Sequence, residues 1–229
     1  MRRGRTPRVH GAVGDGGGGP GDHPWNTGRV IETPRADGPR LTGRGAARRT
    51  ELFEELTALL IAEGFAQLTL DDLAARLRCS KRTLYGLAGS KEQLVRAAVV
   101  HFFRRATVRV EAALAAETDP ARRLAAYLRA VAAELAPVSA AFFDDVAAFE
   151  PAAEVYERNT RAAASRVQEL IDEGVADGAF REVHVVFAAD VITSVMVRIQ
   201  RRQVAAATGL ADADAYANLA ELLLHGLAR

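Results

Sequence analysis

The sequence predicts an all-α protein of about nine helices, and three observations carry that reading. From Ala46 onward alanine, leucine and arginine dominate, residues that lose little on entering a helix. Nowhere do β-branched and polar residues alternate strictly. The nearest candidate, Val183 to Ile199, is too long for a strand and fits a 3.6-residue period better. Glycine and proline fall between the periodic segments: Gly64, Gly86–Gly89, Asp119-Pro120, Pro137, Pro151, Gly178 and Gly209.

Composition narrows the class. Of 229 residues, 49% are hydrophobic and 26% charged, enough for a real core. The 30 basic residues nearly balance 29 acidic ones, which excludes a uniformly basic nucleic-acid binder but allows a local basic patch. The single cysteine, Cys79, excludes an internal disulfide and a multi-cysteine metal site, and fits a reducing, cytoplasmic compartment. Arg2, Arg3 and Arg5 have no apolar segment behind them, so no secretory signal is read there. Val185 to Val197 is broken by Asp190, Thr193 and Ser194 and is shorter than the ~20 residues a bilayer needs, so no membrane partner is expected.

Residues 1–45 stand apart. They hold 12 of the 19 glycines and 5 of the 8 prolines, and too little apolar surface to offset their chain entropy, so a disordered tail is expected. Its 8 arginines against 4 acids suit a basic arm on DNA phosphates, or the segment has no function and reflects an upstream start site.

Residues 46–95 read as a short-helix module. The first helix runs from Ala46 to Glu63, with Leu52, Leu56, Leu59 and Leu60 on one face. The second opens at Thr69, with Asp72 at capping-box spacing, and buries Leu70, Leu73, Ala74 and Leu77. The chain turns at Arg78-Cys79. Ser80 then caps a third helix from Lys81 to about Tyr85. Two helices joined by a tight turn over Leu73, Leu77 and Leu84 match a helix-turn-helix. Its third helix offers a major groove Ser80, Lys81, Arg82 and Thr83, with Tyr85 one turn on to reach a phosphate. Ser90 and Gln93 cap the next helix, where Lys91 lies at a positive helix end suited to a phosphate. The only two lysines of the chain are Lys81 and Lys91. The module has 7 basic and 7 acidic residues, so Glu51, Glu54, Glu55 and Glu63 must point away from DNA.

These segments, Phe65-Ala66-Gln67-Leu68-Thr69-Leu70, Leu73-Ala74, Ser80-Lys81-Arg82-Thr83-Leu84-Tyr85 and Ser90-Lys91-Glu92-Gln93-Leu94, together resemble the tetracycline-repressor (TetR/AcrR) family of transcriptional regulators. The resemblance implies that Lys81, Arg82 and Thr83 face bases and that Tyr85 and Lys91 hold the backbone, helped by Thr69. Two departures are visible. Arg78 stands where the family has glycine in the turn, which would strain it. Gly86-Leu87-Ala88-Gly89 stands where it has aromatic residues, which would loosen packing between the third and fourth helices.

Residues 96–229 resemble the family in helical architecture only, and are expected to bind an effector and dimerise. The fourth helix is expected over about 90–117, followed by helices at 119–136, 138–149, 151–177, 181–207 and 212–228. Ile192 and Ile199, then Leu219, Leu222, Leu223 and Leu227, mark wide apolar faces on the last two. Such faces are core or the self-complementary surface of a two-fold dimer. The resemblance implies a four-helix bundle with a second subunit. Phe102, Tyr127, Phe142, Phe143, Phe149, Tyr156, Phe187 and Met196 are the candidates for an apolar effector pocket, with plain core as the alternative. Phe142-Phe143-Asp144-Asp145 would suit a cationic hydrophobe.

No nucleophile has a neighbouring base, no glycine-rich loop follows a strand, and Glu221 with His225 gives only two metal ligands. No catalytic residue, metal or cofactor is therefore expected. The reading is a homodimeric regulator, a repressor on a palindromic double-stranded DNA operator, released by a small hydrophobic effector. The alternatives are a helical ligand-binding or enzymatic protein that keeps the helix-turn-helix as scaffold, and a DNA-binding dimer without an effector.

Overall fold

The computed structural model describes residues 43–228. It contains ten helices in the order α1 (Gly43–Glu63), α2 (Leu70–Arg76), α3 (Lys81–Leu87), α4 (Lys91–Ala115), α5 (Pro120–Leu135), α6 (Ala140–Ala148), α7 (Glu150–Ala176), α8 (Val185–Gln200), α9 (Gln203–Thr208) and α10 (Asp212–Leu227). Helix is the only regular element among the described residues, as the sequence predicts, with one isolated antiparallel bridge between Phe180 and Ala228. The expected tail lies outside the described residues except for Gly43 to Gly45, which form the first turn of α1 and start it three residues early.

Side-chain caps set most boundaries. Thr69, Ser80, Ser90, Asp119 and Ser139 each accept a backbone N–H from the first turn of the helix that follows. The expected helix over 181–207 is corrected in two places. It starts only at Val185, because His184 caps it with Nδ1 accepting the Phe187 N–H at 3.2 Å. Residues just before it are drawn into the bridge, where the Arg181 N–H donates to Leu227 O at 2.9 Å. It also breaks at Arg202, which adopts φ 58° and ion-pairs with Asp212 at 2.8 Å. No glycine or proline marks that turn, so the local sequence carries no signal for the break, and ten helices form where about nine were expected.

The apolar residues collect in two clusters. The first joins Leu52, Leu56 and Leu60 of α1, Leu73 of α2, Leu84 of α3 and Leu94 to Phe103 of α4 to Phe142, Phe143 and Val146 of α6 and Val155 of α7. The second holds Val110 and Leu114 of α4, Leu124 and Leu128 of α5, Val167 and Ile171 of α7, Ile192 and Met196 of α8 and Tyr216 and Leu219 of α10. Helix α4 thus passes through both. The buried threonine hydroxyls are satisfied locally: Thr57 donates to Phe53 O at 2.8 Å and Thr193 to Ala189 O at 2.7 Å.

The turn between α2 and α3 carries the strain its sequence implies. Arg78 sits at φ 50°, in the left-handed region that a Cβ disfavours by about 1–2 kcal/mol. Glycine there loses the strain but brings extra unfolded-state entropy of about 0.5–1 kcal/mol. Arg78→Gly should therefore raise Tm by about 2 °C in a calorimetric scan. A fall in Tm would show that the Arg78 side chain contributes more than its backbone costs.

Candidate nucleic-acid interface

The short-helix module is assembled around Leu73, Leu77 and Leu84, each buried at 6% exposure or less. That platform fixes which residues face outward. On α2, Thr69 and Asp72 form a full capping box: Asp72 N–H donates to Thr69 Oγ1 at 3.2 Å, and Asp72 Oδ2 accepts the Thr69 N–H at 2.8 Å and its hydroxyl at 2.6 Å. Those bonds from Thr69 hold the Asp72 carboxyl below its ordinary range. On α3, Ser80 Oγ accepts the Thr83 N–H at 3.1 Å, and the two hydroxyls lie 2.8 Å apart. Lys81, Arg82 and Thr83 occupy the first turn of α3 and are exposed, and Tyr85 is half exposed beyond them. Ser90 caps α4 by accepting the Gln93 N–H at 3.2 Å, and Gln93 Oε1 accepts the Gly89 N–H at 3.0 Å. Lys91 Nζ donates to Ala66 O at 3.3 Å.

The structure thus brings Ser80, Lys81, Arg82, Thr83 and Tyr85 onto one short helix and sets Thr69 and Lys91 on the helices either side. The acids of α1 are engaged elsewhere. Glu51 and Glu55 pair with Arg48 at 3.4 and 3.5 Å, Glu63 with Arg76, and Glu54 with Arg105 and, at 2.9 Å, His101. Leu87 and Ala88 pack against the first core cluster in place of the aromatic residues the family resemblance implies.

Asp71 and the bracing role of Asp145 escaped sequence reasoning. Asp71, on α2, pairs with Lys81 Nζ at 2.7 Å, and that bond keeps the ammonium pKa above its ordinary value. Asp145, on α6, accepts the Ala66 N–H at 2.8 Å and also the Phe65 N–H, bracing the turn between α1 and α2. Gly64 makes room for it: at φ +85° it closes α1, and a Cβ there would lie 2.6 Å from Asp145 Oδ2. No spacing rule joins residues 64–66 to residue 145; only the fold does.

The Asp71–Lys81 pair predicts a specific phenotype. A phosphate or guanine must compete with Asp71 for Lys81, and Asp71 adds a negative charge beside the reading helix. Asp71→Asn should raise affinity for non-cognate DNA by about threefold to tenfold and narrow the gap to a cognate site, read by anisotropy at fixed salt. Unchanged affinity would mean that Lys81 stays clear of DNA.

The expected effector residues divide between the two clusters. Phe102, Phe142 and Phe143 belong to the first cluster with Phe149 and Tyr156 against it, whereas Tyr127 and Met196 lie in the second. Burial pushes the Tyr127 phenol well above its ordinary pKa. Phe187 is 67% exposed and belongs to neither cluster. Ile192, Ile199, Leu219 and Leu227 are buried within their own subunit, so of the six only Leu222, at 72% exposure, and half-buried Leu223 reach the surface. The exposed apolar side chains of α8 are Val186, Phe187 and Val191. Helices apolar on two faces give no periodicity that tells the inner face from the outer.

Comparison with known proteins agrees with this geometry. The family described as bacterial regulatory proteins, tetR family, matches residues 52–98, which span α1 to the start of α4. A search of curated proteins finds no match. Among solved structures, a TetR/AcrR-family transcriptional regulator from Thermobifida fusca is 25% identical, with 80% of this chain and 100% of that one covered and a TM-score of 0.59. PfmR, a TetR-family transcriptional regulator from Thermus thermophilus, is 23% identical over 78% of this chain and 99% of its own, with a TM-score of 0.58. A transcriptional regulator from Saccharomonospora viridis, solved in complex with choline, has a TM-score of 0.69 at 16% identity, covering 80% of this chain and 99% of that one. The all-α fold with its helix-turn-helix module is the one seen in these solved transcriptional regulators. Residues 52–98 of the chain match the tetR-family model, and the helical fold around them is shared with solved tetR-family regulators.

Proposed function

We propose that the protein is a cytoplasmic homodimeric repressor that binds a palindromic operator and is released by a small-molecule effector. Residues 46–95 form its DNA-binding domain and residues 96–229 its effector-binding and dimerisation domain. The observation that carries this reading is the first turn of α3. It presents Lys81, Arg82 and Thr83 outward on a rigid Leu73–Leu77–Leu84 platform, with Tyr85 and Lys91 poised for phosphates. A palindrome needs two such helices, and the exposed apolar residues Val186, Phe187 and Val191 of α8 and Leu222 of α10 supply a surface for the second subunit. The choline bound to the Saccharomonospora viridis regulator supports a small effector in a fold of this type.

The test is anisotropy of the purified protein with DNA from upstream of its own gene against scrambled DNA, across a salt series. Sequence-dependent binding with a steep salt slope is expected. Equal, weak binding to both, followed by failure of genome-wide selection to yield a site, would overturn the reading. Val191→Glu with Leu222→Glu should convert the dimer to a monomer in sedimentation and cost at least about a hundredfold in operator affinity, because two buried charges oppose the interface and only one half-site remains held. A dimer that survives both changes would place the interface elsewhere.

A second reading has its own support. Phe102, Phe142, Phe143 and Tyr156 pack tilted or edge-on against one another and Phe103, with ring centroids 5.1–6.0 Å apart. Such a closed aromatic cluster suits a DNA-binding dimer without an effector. Thermal stabilisation by any member of a ligand library, with parallel loss of operator binding, decides against it.

A further inference from the structure

A cavity of about 210 Å³ opens where the α1–α2 turn, the start of α4 and the end of α6 meet. Its apolar wall comes from Phe65, Val95, Ala148 and Phe149, the two rings standing edge to face with centroids 6.1 Å apart. Three charged side chains complete it: Asp145, Glu92 and Lys91. Lys91 donates to Ala66 O and Asp145 Oδ2 accepts the Phe65 and Ala66 N–H groups, and the wall carries two carboxylates against one ammonium, a formal charge of −1. The Ser90 hydroxyl and the Glu92 backbone N–H hold the Glu92 carboxyl below its ordinary pKa. The volume suits a single ring with a short substituent, since a cavity of about 150 Å³ holds benzene.

We propose that this cavity binds a small organic cation, an ammonium group on an apolar body of about eight to ten non-hydrogen atoms. The apolar body lies against Phe65, Phe149, Val95 and Ala148, and the ammonium lies by Asp145 and Glu92. Binding also bears on DNA, and that consequence rests on the regulator reading whereas the binding itself does not. Asp145 braces the α1–α2 turn through the Phe65 and Ala66 N–H groups, and Lys91 is tied to the same turn. A cation that draws on the Asp145 carboxylate loosens that brace and so lowers affinity for DNA. By reciprocity DNA lowers affinity for the cation.

The test uses benzylamine, benzyl alcohol and benzoate, which share a ring and differ in charge, titrated into the full chain by calorimetry at pH 7. Benzylammonium should bind about tenfold tighter than benzyl alcohol, with benzoate weakest. Asp145→Asn keeps an oxygen for the two N–H groups but removes the charge, and should cost about tenfold. Glu92→Gln should cost less, and Ala148→Leu should abolish binding of benzylamine and benzyl alcohol by filling the space. If Asp145→Asn does not fold, the other two variants carry the test. Equal affinity for the three compounds, no binding, or undiminished binding in Ala148→Leu would overturn the site. On a bound operator, saturating benzylamine should weaken DNA affinity at least about fivefold, and Ala148→Leu should erase that response. Cation binding without any effect on a bound operator overturns the coupling alone. Cation binding in a protein that binds no DNA sequence counts against the regulator reading and leaves the site standing.

Discussion

Arg82→Ala and Lys81→Ala should each leave the fold intact and reduce discrimination between the cognate operator and a single-base variant by about five- to hundredfold at one position per half-site. Both side chains lie in the first turn of α3, outside the core, so their loss removes donors without opening a cavity. Tyr85→Phe and Lys91→Ala serve as the contrast. They should weaken cognate and scrambled DNA alike, and Lys91→Ala should reduce the salt slope by about one. The two classes separate in one experiment: competition by single-base operator variants at several salt concentrations. If Lys81→Ala and Arg82→Ala both leave the base preference untouched, α3 is not the reading helix.

Gly174→Ala should destabilise the protein by about 3 kcal/mol, a fall in Tm of roughly 6–12 °C. Gly174 lies in α7, and a Cβ there would stand 2.3 Å from Cδ2 and 2.5 Å from Cε2 of Phe180. Phe180 is 2% exposed, and its N–H donates to Gly174 O at 2.8 Å, so the ring cannot swing aside without leaving the core. Phe180 also forms the bridge that ties Ala228 at the end of α10 back to the body. The strain therefore falls on the C-terminal helix as well. Pairing Gly174→Ala with Phe180→Leu, a smaller and more adaptable side chain, should recover part of the loss, and the cycle isolates the clash from the missing packing. An unchanged Tm in the single variant would mean that α7 shifts freely, which the shared cluster with α5 and α8 argues against.

The module from α1 to α4 was legible because its signals are local. The Thr69–Asp72 capping box, the Ser80 and Ser90 caps and the Leu73, Leu77 and Leu84 spacing each involve residues a few positions apart, and the fold keeps all of them. The strained Arg78 was legible too, through its departure from the family pattern. What stayed hidden is long-range. Asp145 reaches a turn some eighty residues earlier, and Arg202, at the left-handed break between α8 and α9, pairs with Asp212. Asp71 competes with no partner that spacing alone identifies. On α8, Ile192 and Val191 are neighbours of equal hydrophobicity, yet one is buried and the other exposed. Their fates depend on where α5 and α10 pack, and no pattern within α8 encodes that.

Helix α4 is 25 residues long, about 37 Å, and is gripped at both ends by different sets of side chains. A straight rod held in this way converts angle into distance. A tilt of about 5° at the Leu114 end carries the Ser90 end by about 3 Å, close to the rise of one base pair. Repacking on that scale needs no broken hydrogen bond and no melted segment, only a small change in how Val110 and Leu114 seat among α5, α7 and α8.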